Sequence, residues 1–269
     1  MRRLSTAVAL VLLIGLVLIA CEAHRPRTAA KEPIPASIVQ PGLQSRVLTV
    51  AHKRDYAPYE FVDADGKSAG MAIDMITEAA RRLDMEVRFH PLSWPEVLEN
   101  LSAGKADITP CMLYSPARAK EWALSVGWGK ATSVVYVRRT SKFETVADVV
   151  PKVVVAPRGD IEYEALKMKG VRQLIGTETT EQALMKTLVG EAAGAGCNRE
   201  VARAVFSRFA GLKTAMLEVE PPLAVTPLMV GSRKGNEPLL YRISRVLLEM
   251  KRDGTLDRLT STSEGQPSG

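Results

Sequence analysis

The sequence predicts an α/β fold arranged in two lobes, each with a sheet covered by helices. Short apolar, β-branched runs alternate with segments whose apolar residues recur at helical spacing. The order strand–helix–strand–helix favours a parallel sheet flanked by helices. A second series of the same kind begins after an extended run at 132–138, and this repetition of the pattern indicates the second lobe.

The first lobe is predicted from three strands, a turn region and three helices. In order, these elements are a strand at 46–51, a turn region at 56–67, a helix at 72–83, a strand at 86–90, a helix at 95–103, a strand at 106–109 and a helix from 116. The helix at 72–83 has its apolar residues on one face. Gly104 ends the next helix, and Ser115-Pro116 begins another, with serine as N-cap and proline at the first helical position.

The second lobe shows the same alternation, and the chain ends in its most periodic helix. The elements are the run at 132–138, a strand at 152–156, helices at 160–169 and 180–189, strands at 192–196, 217–219 and 224–230, and a helix at 239–254. In the final helix Leu240, Ile243, Val246, Leu247 and Met250 share one face. This spacing predicts a helix packed against a core.

The N-terminus has the parts of a secretory signal. Arg2 and Arg3 precede an apolar run at 7–20, which as a helix spans about 21 Å, less than the ~30 Å of a bilayer core. Leu18-Ile19-Ala20-Cys21 resembles the bacterial lipobox, which implies cleavage before Cys21 and attachment of acyl chains such as palmitate. A plain cleaved signal with an unrelated cysteine is the alternative. We expect a lipoprotein signal peptide at 1–20, a Pro/Ala-rich tether at 21–45, and a location in the periplasm or cell envelope.

Composition excludes several classes of protein. Without residues 1–20 the chain has 34 basic and 30 acidic residues and no block of like charge, which argues against a dedicated nucleic-acid binder. No second apolar run approaches the roughly 18 residues of a spanning helix. The chain has no metal, P-loop, nucleophile-elbow or Ser-His-Asp signature. We therefore expect no metal, no cofactor and no enzymatic activity.

Five motifs then occur in an order that resembles the family 3 periplasmic solute-binding proteins, the receptors of ABC importers for polar amino acids. The motifs are Tyr56-Ala57-Pro58-Tyr59-Glu60-Phe61; Gly70-Met71-Ala72-Ile73-Asp74-Met75; Ser93-Trp94 with Gly104-Lys105-Ala106-Asp107-Ile108; Ser115-Pro116-Ala117-Arg118-Ala119-Lys120; and Asp253-Gly254-Thr255-Leu256. The resemblance covers residues 46–259.

The resemblance implies a two-lobe, type II periplasmic-binding-protein-like fold with a two-strand hinge, whose crossings lie near 125–132 and 222–227. Residues 46–130 and 225–259 then form the first lobe and 131–224 the second, and 260–269 is a disordered tail. The implied protein is a monomeric, lipid-anchored receptor. It captures a small carboxylate-bearing solute, an amino acid or a relative, and delivers it to an ABC permease in the inner membrane.

The resemblance also assigns roles to single residues. Arg118 is implied to hold the solute carboxylate with its planar, two-donor guanidinium, and Tyr56 to stack on the solute. Met71 replaces a usual aromatic, and Leu113 replaces a usual hydroxyl residue. Asn198 falls where the family usually offers an aspartate to the solute ammonium. The candidate solute-binding residues are Tyr56, Met71, Cys111, Leu113, Arg118, Gly159, Asp160 and Asn198.

Asp160 and the two body cysteines leave alternatives open. An aspartate at 160 repels a carboxylate unless its side chain points away, and the favoured interpretation is a plain helix N-cap. The absence of a countercharge at Asn198 leaves room for a carboxylate without an ammonium, or for an amine bound through Asp160. Cys111 and Cys197 are implied to lie near the cleft on opposite lobes; they either form a disulfide between the lobes or, the favoured interpretation, fill space as buried residues.

Two other functions remain open. The same fold resembles periplasmic cyclohexadienyl dehydratases, in which a carboxyl group acts as general acid; Glu60, Asp160 or Glu191 are the candidates here. An accessory or sensory binding lipoprotein is the other alternative.

Overall fold

The computed structural model describes residues 47–261. The predicted signal peptide, Cys21, the tether and residues 262–269 lie outside the described residues. Between 47 and 261, no helix has the length and apolar character needed to cross a membrane. The described chain is α/β, with sheets flanked by helices, which confirms the predicted fold class.

The strands and helices alternate along most of the chain. The strands are β1 Val47–Lys53, β2 Asp55–Tyr56, β3 Glu60–Val62, β4 Ser68–Ala69, β5 Glu86–Leu92, β6 Thr109–Leu113, β7 Trp122–Leu124, β8 Gly129–Arg138, β9 Val153–Pro157, β10 Gln173–Thr177, β11 Gly194–Asn198 and β12 Met216–Arg233. The helices are α1 Met71–Arg82, α2 Trp94–Ser102, α3 Pro116–Glu121, α4 Val146–Val149, α5 Ile161–Met168, α6 Thr180–Leu188, α7 Arg199–Arg208, α8 Ala210–Ala215, α9 Glu237–Arg252 and α10 Thr255–Ser261.

Several predicted elements need correction. The strand predicted at 106–109 begins at Thr109 instead, because residues 103–107 form the turn after α2, and only Ile108 makes a bridge, to Val50. The strands predicted at 217–219 and 224–230 belong to one long strand, whose pairing with β8 is interrupted between Val219 and Ala224. A further short helix, α10, follows the predicted helix at 239–254 and ends at residue 261, two residues into the predicted tail.

Clusters of buried side chains form the core of each lobe, and the main cluster of the first lobe also includes Ile161 and Val201 from the second. The core of the first lobe includes Leu48, Met75, Ile76, Ile243 and Leu247. The second lobe has two neighbouring clusters around β8, β9 and β11. Strands β8 and β12 pair antiparallel and contribute to both lobes, since Ala131 and Leu228 belong to the first core and Val135 and Val219 to the second. These two strands form the connection between the lobes.

The sheets bring the ends of several strands to one place. β1 pairs parallel with β5, and β6 pairs antiparallel with β12 in a sheet of order β10-β9-β11-β8-β12-β6, where β7 also pairs with β12. β9 lies between β10 and β11, parallel to both. β1 ends at Lys53, β6 at Leu113 and β9 at Pro157. Lys53 and Leu113 themselves line the cleft between the lobes, and Pro157 comes shortly before Asp160, which lines it from the other side.

Candidate functional site

A small cavity lies between the two lobes. Its volume is about 10 Å³, enough for about one water molecule. The first lobe contributes residues from β1, β2, α2, β6 and α3, and the second contributes the start of α5. The lining residues are Lys53, Tyr56, Trp94, Cys111, Leu113, Arg118, Asp160, Ile161 and Glu162.

An ion pair joins the lobes across this cavity. The Lys53 ammonium lies 3.1 and 2.9 Å from the two carboxylate oxygens of Asp160, and both side chains are about nine-tenths buried. The ammonium also lies 4.1 Å from the centroid of the Tyr56 ring, a cation–π contact. Burial lowers the pKa of Lys53, but the charge of Asp160 and its hydrogen bond outweigh this effect and leave the pKa raised. Lys53 is therefore a buried cation.

Asp160 does not have the role predicted for it. It occupies the N-cap position of α5, yet its side chain makes no capping hydrogen bond. The carboxylate points into the cavity and binds Lys53 instead. The interpretation as a plain helix cap is wrong, because both carboxylate oxygens bind the buried ammonium of Lys53 and neither accepts an N–H at the start of α5.

Arg118 is the second cation of the cleft. Ser115 caps α3 by accepting the backbone N–H of Arg118, and this fixes the start of the side chain. The guanidinium donates to the backbone carbonyls of Leu113 at 3.1 Å and Gly159 at 2.8 Å. It lies 3.6 Å from the partly exposed carboxylate of Glu164. These two hydrogen bonds use two of its five N–H donors.

Trp94 links the same two lobes. Its indole N–H donates to the Gly159 carbonyl at 3.1 Å, and its ring lies 5.3 Å from the Arg118 guanidinium carbon. Gly159 has a φ of +78°, and a Cβ added there would lie 3.3 Å from the indole. Glycine at this position therefore allows the second lobe to approach the indole and the guanidinium closely.

Besides Asp160, two buried carboxyl groups lie at or beside the cavity. Glu162 lines it and accepts a hydrogen bond from the Ser133 hydroxyl at 2.7 Å; burial and the nearby charge of Asp160 raise its pKa. Glu60 is fully buried, and one of its oxygens accepts the Lys53 backbone N–H at 3.1 Å while the other has no partner. Burial raises the pKa of Glu60 to about 8. The protonated form of both groups is thus favoured relative to a solvated glutamate.

The structure brings together five of the eight predicted binding residues. Tyr56, Cys111, Leu113, Arg118 and Asp160 line the cavity. The other three are not lining residues, and each has a different environment.

Gly159 contributes its carbonyl to Arg118 and Trp94. Met71 is partly buried and packs against the core of the first lobe. Asn198 is buried, and its side-chain oxygen accepts the N–H groups of Glu200 and Val201 at the start of α7.

Sequence reasoning missed Lys53, Trp94, Ile161 and Glu162 as cavity residues. Trp94 belongs to the Ser93-Trp94 motif, but no role in solute binding was assigned to it from the sequence. Lys53 carried a weaker signal, as a lysine directly after an apolar strand, since ligand sites in α/β folds lie at the carboxyl ends of strands. Of the candidate general acids, Glu191 is exposed and pairs with Lys186. His52 is buried, bonded to the Ser68 hydroxyl and the Lys53 carbonyl, and does not line the cavity.

The two body cysteines are free and buried. Cys111 lines the cavity, whereas Cys197 lies in the core of the second lobe. Burial raises the pKa of both thiols. The space-filling interpretation is therefore confirmed, and the cysteines do not form a disulfide.

Comparison of the sequence with known protein families identifies a family that matches nearly all of the two-lobe body. The model of the bacterial extracellular solute-binding proteins, family 3, matches residues 48–263. The chain belongs to this family. Its function is accordingly that of an extracytoplasmic solute-binding protein, as the sequence predicted.

The relatives of this solute-binding protein are similar over most of their length. The L-cystine-binding protein TcyA of Bacillus subtilis is 25% identical over 222 residues, which are 82% of this chain and 82% of the relative. The L-cystine-binding protein TcyJ of Escherichia coli K12 is 26% identical over 83% of this chain and 86% of its own.

Solved structures show the same fold. A histidine kinase sensor domain with similarity to periplasmic binding proteins has a TM-score of 0.77 at 26% identity, covering 82% of this chain and 97% of the domain. A mutant of the arginine-binding protein ArgBP of T. maritima has a TM-score of 0.74 at 25% identity, covering 82% and 96%.

Proposed function

We propose that this solute-binding protein captures a small carboxylate-bearing solute, an amino acid or a relative, in the cleft between its lobes, and delivers it to an ABC permease. The observation that carries the proposal is the buried guanidinium of Arg118 in the wall of the cavity. A planar guanidinium binds a carboxylate through two parallel hydrogen bonds. The names of the relatives, which bind cystine or arginine, support the same class of solute.

Binding requires the lobes to separate before they close on the solute. A cavity of about 10 Å³ holds a water molecule and no carboxylic acid. The direct contacts between the lobes at the cleft include the Lys53–Asp160 pair and the bonds of Arg118 and Trp94 to Gly159. A solute carboxylate that reaches Arg118 replaces the Gly159 carbonyl as its acceptor.

A calorimetric titration with amino acids and small carboxylic acids tests this proposal. We expect at least one carboxylate to bind, and Arg118→Lys, which keeps the charge but loses the two-donor geometry, to weaken it at least tenfold. Arg81→Lys is the matched control, since Arg81 is exposed and pairs with Glu78 on α1. Equal affinity in the wild type and Arg118→Lys contradicts a carboxylate role for Arg118.

A dehydratase is the second candidate function. The observation in its favour is Glu162, a buried carboxyl in the cavity wall whose raised pKa suits a general acid. The cyclohexadienyl dehydratase of Pseudomonas aeruginosa is 33% identical over 66 residues, 24% of this chain and 25% of the enzyme. Turnover of prephenate that is lost in Glu162→Gln supports this candidate, and binding without turnover supports a receptor alone.

We also propose that the protein is a monomer anchored in the cell envelope by lipid on Cys21. The lipobox-like Leu18-Ile19-Ala20-Cys21 supports this part of the proposal. The wild type is expected in the membrane fraction and to incorporate labelled palmitate, and Cys21→Ser is expected to incorporate none. A wild type recovered only from the soluble fraction contradicts the anchor.

A further inference from the structure

The ammonium of Lys53 lies in a place built to hold an ammonium. It is held by both carboxylate oxygens of Asp160 from the second lobe and by the ring face of Tyr56 from the first. A carboxylate and an aromatic face are two groups that proteins use to recognise ammonium ligands. The cation that satisfies both of them here belongs to the chain itself.

The position of Lys53 in the fold holds its ammonium between the Asp160 carboxylate and the Tyr56 ring. Lys53 is the last residue of β1, and its backbone is held by pairing with Leu92 in β5 and by the bond of its N–H to Glu60. Its side chain therefore extends from a fixed base into the cleft. The Tyr56 ring is stacked on Tyr59 at a centroid distance of 5.5 Å, which holds the ring beneath the ammonium.

The remaining charge of the cleft is positive. Asp160 is neutralised by Lys53, while burial favours the protonated forms of Glu60 and Glu162. Arg118 is the other buried cation among the lining residues, and its nearest carboxylate, Glu164, is 3.6 Å away and partly exposed. Exposed carboxylates compensate a buried charge weakly. The cleft thus favours an anionic group and offers an incoming ammonium no free carboxylate.

We propose that Lys53 acts as a tethered ammonium that fills the amine position of the cleft, so that the solute is a carboxylate without an ammonium beside it, such as a 2-hydroxy or 2-oxo acid. The inference rests on the proposed function, because Arg118 is its carboxylate-binding group. An α-amino acid has to expel the Lys53 ammonium from Asp160 or place a second cation beside it. A hydroxyl group at the same carbon requires neither.

Matched pairs of acids test the inference on the full chain, purified in detergent. Each pair is an L-amino acid and the 2-hydroxy acid in which a hydroxyl replaces the ammonium: alanine and lactate, leucine and 2-hydroxy-4-methylpentanoate, glutamate and 2-hydroxyglutarate. Affinities are measured by isothermal titration calorimetry. We expect the wild type to bind the hydroxy acid of at least one pair at least tenfold more tightly than the amino acid.

Lys53→Met is expected to reverse this preference. The substitution keeps the apolar stem and leaves the Asp160 carboxylate free for a solute ammonium, so the amino acid of the same pair gains affinity at least tenfold. Lys186→Met is the matched control, because Lys186 pairs with Glu191 on the surface; it should leave both affinities unchanged. A folded Lys53→Met protein that still rejects amino acids overturns the role of Lys53.

The wild type alone keeps the inference falsifiable if Lys53→Met does not fold. Tighter binding of an amino acid than of its hydroxy acid in every pair overturns the inference and leaves the proposed carboxylate receptor intact. Failure of every acid in the panel, amino or hydroxy, at millimolar concentration contradicts the proposed function and the inference with it.

Discussion

Lys53 and Asp160, 107 positions apart in the chain, form a buried ion pair with an N–O distance of 2.9 Å between the two lobes. A buried charge that loses its partner costs far more than the intact pair contributes, because desolvation is then uncompensated. Removing either partner is therefore expected to lower the free energy of unfolding and to leave an unpaired charge in the cleft.

The first prediction is that the two residues are energetically coupled. Lys53→Met and Asp160→Asn should each lower the free energy of unfolding by about 3 kcal/mol, and the double variant should lose much less than the sum. Urea unfolding of the four proteins measures this cycle. The exposed Lys186–Glu191 pair is the control, with an expected coupling below about 1 kcal/mol. Additive losses at Lys53 and Asp160 contradict the coupling.

Much of the fold could be predicted from the sequence because most helices and strands show a regular spacing of apolar residues. The helix at 72–83 and the final helix at 239–254 are found as Met71–Arg82 and Glu237–Arg252, since each has one apolar face packed on a core. The helices Arg199–Arg208 and Ala210–Ala215 were missed. The first carries its apolar residues Val201, Ala202, Val205 and Phe206 at helical spacing, a signal that was overlooked in the sequence, whereas the second is only six residues long and gives no clear pattern.

The candidate site was predicted less completely, for a physical reason. Arg118 and Tyr56 were found because their local motifs are distinctive. The role of Lys53 depends on Asp160 in the other lobe, and sequence periodicity carries no information on contacts between lobes. The same long-range contact explains why Asp160 was misinterpreted as a helix cap.

The second prediction concerns Gly159. Gly159→Ala should weaken solute binding severalfold, because the new methyl group lies 3.3 Å from the indole of Trp94 and disturbs its bond to the Gly159 carbonyl. Gly170→Ala is the matched control: its φ of +75° imposes the same backbone strain, of about 1 kcal/mol, in open space. Calorimetric titration compares the two variants. Equal affinities show that the contact with Trp94 does not affect the cleft.

The third prediction separates helix capping from solute binding at Asn198. Its oxygen caps α7 through the N–H groups of Glu200 and Val201, so Asn198→Ala should cost about 1 kcal/mol of unfolding free energy. Asn198→Ser keeps an oxygen acceptor and should retain most of the stability. Since capping already uses the oxygen, we expect Asn198→Ser to keep its solute affinity within about twofold. A large loss of affinity at retained stability indicates direct contact with the solute.

The fourth prediction is that Glu60 makes the protein less stable as the pH rises. Its pKa is about 8 in the folded protein against an ordinary 4.5. The folded state therefore binds more protons than the unfolded state between these values, and the free energy of unfolding falls as the pH rises through this window. The contribution of Glu60 to this fall is on the order of a few kcal/mol.

Glu60→Gln removes this titration while keeping an oxygen for the Lys53 N–H. We expect the variant to show a flatter dependence of unfolding free energy on pH, and to gain stability relative to the wild type between pH 5 and pH 8, because the buried position then never has to carry a charge. Urea unfolding at three pH values measures this difference. Glu99→Gln, at an exposed position on α2, should follow the wild-type profile. If Glu60→Gln follows it as well, Glu60 keeps an ordinary pKa, and the buried carboxyl beside Lys53 is charged in the folded protein.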